Sequence, residues 1–216
     1  MRIASLPNFW LLLALITLIL IHPLANQYAG GRVFLVLFDW VILFLALRAS
    51  RKTWYRPWLG YMLAIPAMTL YAGVAVFNYA GLLVSSLFMQ ALFHGFVVVC
   101  LLRYMLHDNV MTLDEVFAAA SLYVLAGFVF GYCYALIEHL QPGSFYINAN
   151  NNPDNITSWW ELLYFSFTCL TSVGFGEITP VSDSARSVVI IEQTAGVLYL
   201  ALLISRLLSM QRREGR

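Results

Sequence analysis

The sequence predicts an all-α integral membrane protein with six transmembrane helices and one shorter helix that enters the membrane without crossing it. Of the 216 residues, 61% are hydrophobic and only 11% are charged, a composition outside the range of soluble domains. Five apolar runs are long enough to span a bilayer, and a sixth, residues 33–47, is short at fifteen residues but can be extended outward by residues 28–31. A seventh, residues 158–170, would form a helix only about 20 Å long, which is too short to span.

The first four spans are predicted at residues 6–24, 33–47, 59–77 and 81–102. The first run could also be read as a secretory signal peptide, with an apolar core at residues 9–21. Because only Arg2 precedes it and further spans follow, we expect a retained span. Pro66, near the middle of the third span, predicts a kink.

Asp39 lies inside the second span. A carboxyl group at membrane depth is costly and is by default a functional-site hypothesis. In a bundle of four helices it is as often a hydrogen-bonded packing group. Both interpretations stay open from the sequence.

The second half of the chain contains two capping boxes, in which a hydroxyl residue and a glutamate three positions later satisfy the first turn of a helix. Thr112 and Glu115 open the fifth span, residues 116–140. Ser158 and Glu161 open the short helix that ends at residue 170. The sixth span follows at residues 183–208.

Basic residues orient these spans, because cytoplasmic loops carry an excess of lysine and arginine. With both chain ends in the cytoplasm, ten of the twelve basic residues lie inside and only Arg32 and Arg186 lie outside. The densest cluster, Arg48 to Arg56, falls between the second and third spans. This places the short helix and the segment after it on the outer face. The net charge of +1 gives no argument for a nucleic-acid partner.

The segment TSVGFGEITP, residues 171–180, follows the short helix directly. Gly174 and Gly176 alternate with Val173 and Phe175, and glycine tolerates left-handed backbone angles. An alternating backbone can point successive carbonyls to one side. Four copies around an axis would then form stacked rings of oxygens that replace the water around a dehydrated cation.

With its flank, YFSFTCLTSVGFGEITP, this segment resembles the pore segment of small bacterial potassium channels, whose signature is TVGYG. The resemblance implies a homotetramer in the bacterial inner membrane that conducts potassium passively and needs no cofactor. The ions would bind at residues 172–176, mainly to the carbonyls of Ser172, Val173, Gly174 and Phe175. The Ser172 hydroxyl would form the innermost site, where the family usually has threonine.

Residues around this filter are expected to support it. The family pairs two helix tryptophans with filter residues, and the matching places here are Tyr164 with Glu177 and Phe165 with Phe175. We expect a bond from the Tyr164 hydroxyl to the Glu177 carboxylate, and an aromatic contact between Phe165 and Phe175. Glu192 is expected behind the filter, protonated or not. Its predicted partners are Thr168, Thr171 or Ser172.

Gly196 lies twenty residues after Gly176, which matches the hinge glycine of the resembling channels. It would act as a gating hinge or, alternatively, allow close helix packing. Val197, Leu200 and Ile204 follow at helical spacing. They are expected to line an apolar cavity.

The predicted domains are a four-helix membrane bundle (1–104), a cytoplasmic linker (105–115), a pore domain (116–210) and a basic tail (211–216). The layout resembles that of voltage-gated channels, but the fourth span lacks the repeated arginines of a voltage sensor. Strong voltage gating is therefore not expected. A weakly selective cation channel and a membrane transporter are the alternatives; the scattered histidines give no enzyme constellation.

Overall fold

The computed structural model describes residues 6–25, 28, 31–50, 58–77, 80–107, 112–150, 152–153 and 156–214. The chain forms two compact units, residues 1–126 and 127–216. The boundary between them falls within one helix.

The first unit contains four long helices: α1 (Pro7–Ala25), α2 (Gly31–Ser50), α3 (Trp58–Phe77) and α4 (Leu83–Leu106). A 3-10 turn, Ala80–Leu82, precedes α4. Each helix contains most of one predicted span, and the ends differ by no more than a few residues. α2 packs against α1, α3 and α4, and α3 packs against α4.

Asp39 of α2 is 5% exposed and faces α4. The Gln90 side-chain amide donates a hydrogen bond to an Asp39 carboxylate oxygen at 3.1 Å. This contact supports the packing interpretation of Asp39, because the carboxyl joins two helices of the same unit.

The fifth helix, α5 (Leu113–Leu140), starts with the predicted capping box. The Thr112 backbone N–H donates to the Glu115 carboxylate at 2.6 Å, and the Glu115 N–H donates to the Thr112 hydroxyl at 3.4 Å. Asp114, in the same turn, accepts hydrogen bonds from the backbone and side chain of Asn8 and from the Tyr104 hydroxyl. The starts of α1 and α5 and the end of α4 are thereby joined.

The second unit contains the rest of α5, strand β1 (Phe145–Ile147), the short helix α6 (Trp159–Leu170), strand β2 (Ile178–Pro180) and the long helix α7 (Asp183–Glu214). β1 and β2 form a two-stranded antiparallel sheet in which Tyr146 is opposite Thr179. α7 packs against both α6 and β2.

Five helices in the described part of the chain are long and apolar enough to cross a membrane: Pro7–Ala25, Trp58–Phe77, Leu83–Leu106, Leu113–Leu140 and Asp183–Leu208. With 12 residues, α6 is far shorter than these, as the sequence predicts. α2, which holds the predicted second span, has 20 residues but is not among the five. The six-span count therefore stays a prediction.

Several residues that orient the chain fall outside the described ranges. They include Arg2, Arg51, Lys52, Arg56 and Arg216. The predicted cytoplasmic position of both chain ends therefore stays a prediction.

Candidate functional site

The helix α6 is fixed at its first turn by the predicted capping box. The Glu161 N–H donates to the Ser158 hydroxyl at 3.3 Å, and the Ser158 N–H donates to the Glu161 carboxylate at 2.7 Å. These bonds satisfy backbone donors that have no partner within the helix. The start of α6 is thus defined by its own sequence.

The last turn of α6 is capped by the segment that follows it. The Ser172 N–H donates to the Cys169 carbonyl at 2.9 Å. The N–H groups of Val173 and Gly174 both donate to the Thr168 carbonyl, at 3.0 and 3.2 Å. The predicted filter therefore begins directly on the carbonyl end of α6, which is the negative end of the helix dipole.

The backbone of the filter alternates in the sign of φ. Ser172, Gly174 and Gly176 have φ values of 59°, 55° and 82°, whereas Val173 and Phe175 between them do not have positive φ. This alternation of left- and right-handed angles is what points successive carbonyls to one side. Ion coordination by residues 172–176 stays a prediction.

Ser172 is the one residue other than glycine, among those described, with positive φ. A left-handed angle costs a residue with a Cβ roughly 1–2 kcal/mol. A β-branched threonine is disfavoured there still more. Serine at this place therefore fits the backbone better than the threonine usual in the resembling channels.

Tyr164 and Glu177 are bonded as predicted. The Tyr164 hydroxyl donates a hydrogen bond to a Glu177 carboxylate oxygen. Glu177 also accepts at its backbone oxygen from the Asn148 N–H, at 2.9 Å. The residue that follows the last filter glycine is thus held from two sides.

The predicted contact between Phe165 and Phe175 is wrong for the single chain. Phe165 is buried between the rings of Tyr134 and Phe145, at centroid distances of 5.4 and 5.6 Å. The Phe175 side chain is 69% exposed. Phe165 points back toward α5 and β1, because these elements supply aromatic rings on its face of α6.

The sheet of β1 and β2 fixes the ends of the loop that holds α6 and the filter. Ile147 pairs with Ile178 and Phe145 with Pro180, and the Val181 N–H donates to the Ser144 carbonyl at 2.7 Å. The sequence does not predict this sheet, because strands of three residues are too short to show an alternating pattern.

Glu192 is fully buried, as expected, but its partners are not the predicted ones. Its carboxyl group is hydrogen-bonded to the Ser166 hydroxyl of α6 and to the Tyr134 hydroxyl of α5. The predicted partners Thr168 and Thr171 instead donate to carbonyls within their own helix, at 2.8 and 2.7 Å. No hydrogen bond joins the Ser172 side chain to Glu192 in the described structure.

Three glycines let neighbouring helices approach α6 closely. A Cβ atom on Gly127 would lie 2.8 Å from the Phe167 ring, and one on Gly131 would lie 3.0 Å from the Leu163 side chain. Gly196 of α7 lies against the backbone of Leu170. Small residues at such positions allow backbones to pack closely within a membrane.

The predicted cavity residues lie on α7 and are open in the single chain. Val197, Leu200 and Ile204 are 54%, 41% and 57% exposed. Their role in lining a cavity stays a prediction. No group of three or more metal-ligating side chains occurs among the described residues.

Comparison with known proteins finds similarity to ion channels. Residues 118–213 match the model of the ion channel family. The chain is 38% identical to the potassium channel protein Kcv of Paramecium bursaria Chlorella virus 1 over 66 residues, which are 30% of this chain and 64% of the viral protein. The chain therefore spans a little under two thirds of that relative. No solved structure matches the chain.

Proposed function

We propose that the protein is a potassium-selective channel, because residues 118–213 match the ion channel family model and part of the chain is similar to a viral potassium channel protein. The observation that carries the proposal is the alternation of φ at Ser172, Gly174 and Gly176, directly after the capped end of α6. α6 is then the pore helix, and residues 172–176 are the selectivity filter.

The working unit is a homotetramer in a membrane. One chain supplies one filter strand, and a ring of oxygens around a central ion needs several strands related by rotation. The exposed Val173, Phe175 and α7 side chains support this arrangement, since large apolar groups in one chain require a covering partner or lipid. Potassium ions are the permeant ligand, and no cofactor or nucleic acid is involved.

The channel is only weakly sensitive to voltage. Steep voltage gating needs several charges that move across the membrane field. In α4 the first lysine or arginine is Arg103, in the last turn. The first unit then serves as a scaffold or as a sensor of a ligand or lipid. The protein lies in a bacterial inner membrane, with both chain ends on the cytoplasmic side.

Recordings of the purified protein in planar bilayers test the proposal. Under opposed potassium and sodium gradients the reversal potential is expected to follow potassium, and open probability to change little between about −100 and +100 mV. Mass measurement in detergent should give four chains. A conducting monomer or dimer, or a steep voltage response, would contradict the proposal.

Two other outcomes would indicate a different function. Equal permeability to sodium would indicate the weakly selective cation channel, for which Ser172 in place of threonine is the motivating observation. Saturable flux at or below about 10³ ions per second would indicate a transporter, because channels conduct far faster than typical turnover. Neither outcome would indicate that the protein is an enzyme.

A further inference from the structure

The hydrogen bonds around Glu192 form a chain, and the number of protons that this chain needs can be counted. The Ser166 hydroxyl lies 2.8 Å from the Gly127 carbonyl oxygen and is also hydrogen-bonded to Glu192 Oε1. A carbonyl oxygen only accepts, so the bond to Gly127 uses the single proton of the serine. The bond between Ser166 and Glu192 then needs a second proton.

Tyr134 does not supply that proton. Its hydroxyl has one hydrogen, which it donates to the other carboxyl oxygen of Glu192, Oε2. With the serine proton on the Gly127 side, the proton between Ser166 and Glu192 resides on Glu192 Oε1. With it, each oxygen in the chain from Tyr134 to Gly127 has a partner.

The surroundings of Glu192 agree with a neutral carboxyl group. The side chain is completely buried, and a buried charge without a partner is very costly. The titratable groups that face it are Tyr134 and Cys133 of α5 and Cys169 of the pore helix. None of these is cationic, and in the described structure Glu192 forms no ion pair.

We propose that Glu192 is a protonated carboxylic acid that donates a hydrogen bond to Ser166 and so positions the pore helix against α7. The proton assignment rests on the hydrogen-bond geometry and on the burial of Glu192. The effect on conduction rests in addition on the proposed function.

The register of the two helices explains why this bond positions the filter. Ser166 and Leu170 are one turn apart on the pore helix, and Glu192 and Gly196 are one turn apart on α7. Ser166 meets Glu192, and Leu170 meets Gly196. The filter begins two residues after Leu170, so a shift of this interface moves the base of the filter.

Infrared spectroscopy of the full-length protein in lipid at neutral pH tests the proton assignment without any measurement of current. The carbonyl stretch of a carboxylic acid is separate from the bands of a carboxylate. Glu192→Gln is expected to remove a carboxylic acid band. The matched control Asp183→Asn, at a carboxyl fully exposed at the start of α7, should leave that band in place.

Loss of a carboxylate band in Glu192→Gln, with the carboxylic acid region unchanged, would overturn the assignment. If Glu192→Gln does not fold, Tyr134→Phe tests the same proton assignment. It removes the donor to the carbonyl oxygen Oε2, so the Glu192 acid band should move to higher frequency. An acid region that does not move in Tyr134→Phe would also overturn the assignment.

Single-channel recording tests the positioning role. Glutamine supplies one donor and one acceptor in nearly the shape of the neutral acid, whereas leucine fills the space without either. Open probability is expected to fall at least about tenfold in Glu192→Leu and to be restored to within about threefold of the wild type in Glu192→Gln. Normal gating in Glu192→Leu, or an equal loss in both variants, would overturn the role. If the wild type passes no potassium while the infrared result holds, the proposed function fails and the protonated Glu192 stands.

Discussion

The carbonyl oxygen of Leu170 lies where a side chain on residue 196 would begin: a Cβ atom on Gly196 would be 2.2 Å from it. No side chain can be added there unless the pore helix or α7 moves, because the obstacle is backbone. The structure thus shows a packing role for Gly196, and its role as a gating hinge stays a prediction.

Gly196→Ala is therefore expected to lower the stability of the assembled protein. Overpacking of this kind costs typically about 1–3 kcal/mol. The measurement is thermal unfolding of the protein in detergent. Gly95→Ala is the matched control, because it lies in α4 and a Cβ there would meet nothing within 4 Å. If Gly196→Ala unfolds like the wild type but opens less often, the hinge is the dominant role and the packing prediction is wrong.

The second prediction concerns Gly174, whose φ of 55° is unfavourable for a residue with a side chain. Gly174→Ala should abolish potassium selectivity or current, since the change strains the filter by roughly 1–2 kcal/mol and lies among the proposed ion ligands. Gly143→Ala is the control. Gly143 has a similar φ of 84° and open space around it, but it lies in the loop before β1. Selective current in Gly174→Ala, or its loss in Gly143→Ala, would count against the filter assignment.

The third prediction concerns the bond between Tyr164 and Glu177. Tyr164→Phe removes the donor that holds the residue after the filter, so inactivation should become faster or open probability lower, by several-fold for a bond of about 1 kcal/mol. The preferred ion should not change, because the filter carbonyls are untouched. Tyr146→Phe removes a hydroxyl from an exposed residue of β1 and should have no effect. Identical recordings from all three proteins would show that the bond does not support the conducting state.

The fourth prediction concerns Asp39. Asp39→Ala leaves the Gln90 amide without its acceptor in a buried site, and should destabilise the protein by about 1–3 kcal/mol. Asp39→Asn keeps an oxygen that can accept from Gln90 and should cost less. Thermal unfolding of both variants measures this. A change in single-channel gating at unchanged stability would instead favour a sensing role for Asp39.

Local signals in the sequence were enough to predict the helices and one contact of the site. The capping residues Thr112 and Ser158 lie where α5 and α6 begin, because a capping box depends on only four consecutive residues. The Tyr164 to Glu177 bond could be predicted because both residues lie close to the filter and their polar atoms are complementary.

Contacts between distant segments could not be predicted in the same way. Thr168, Thr171 and Ser172 are as polar as Ser166, and only the packing of α6 against α5 and α7 selects Ser166 as the partner of Glu192. The same holds for Phe165, whose neighbours Tyr134 and Phe145 come from elements 31 and 20 residues earlier in the chain. Sequence spacing does not encode which face of α6 meets which helix.

The sheet formed by β1 and β2 also makes the outer loop tolerant of change. Its strands and the Asn148 bond to Glu177 fix the chain just before residues 149–157, and the Ser158 capping box fixes it just after. Extra residues inserted between these two points lengthen a connection whose ends are already held, and doubling such a length costs only about 0.6 kcal/mol. This loop is therefore the place at which a tag or a reporter domain can be inserted while the filter keeps its geometry.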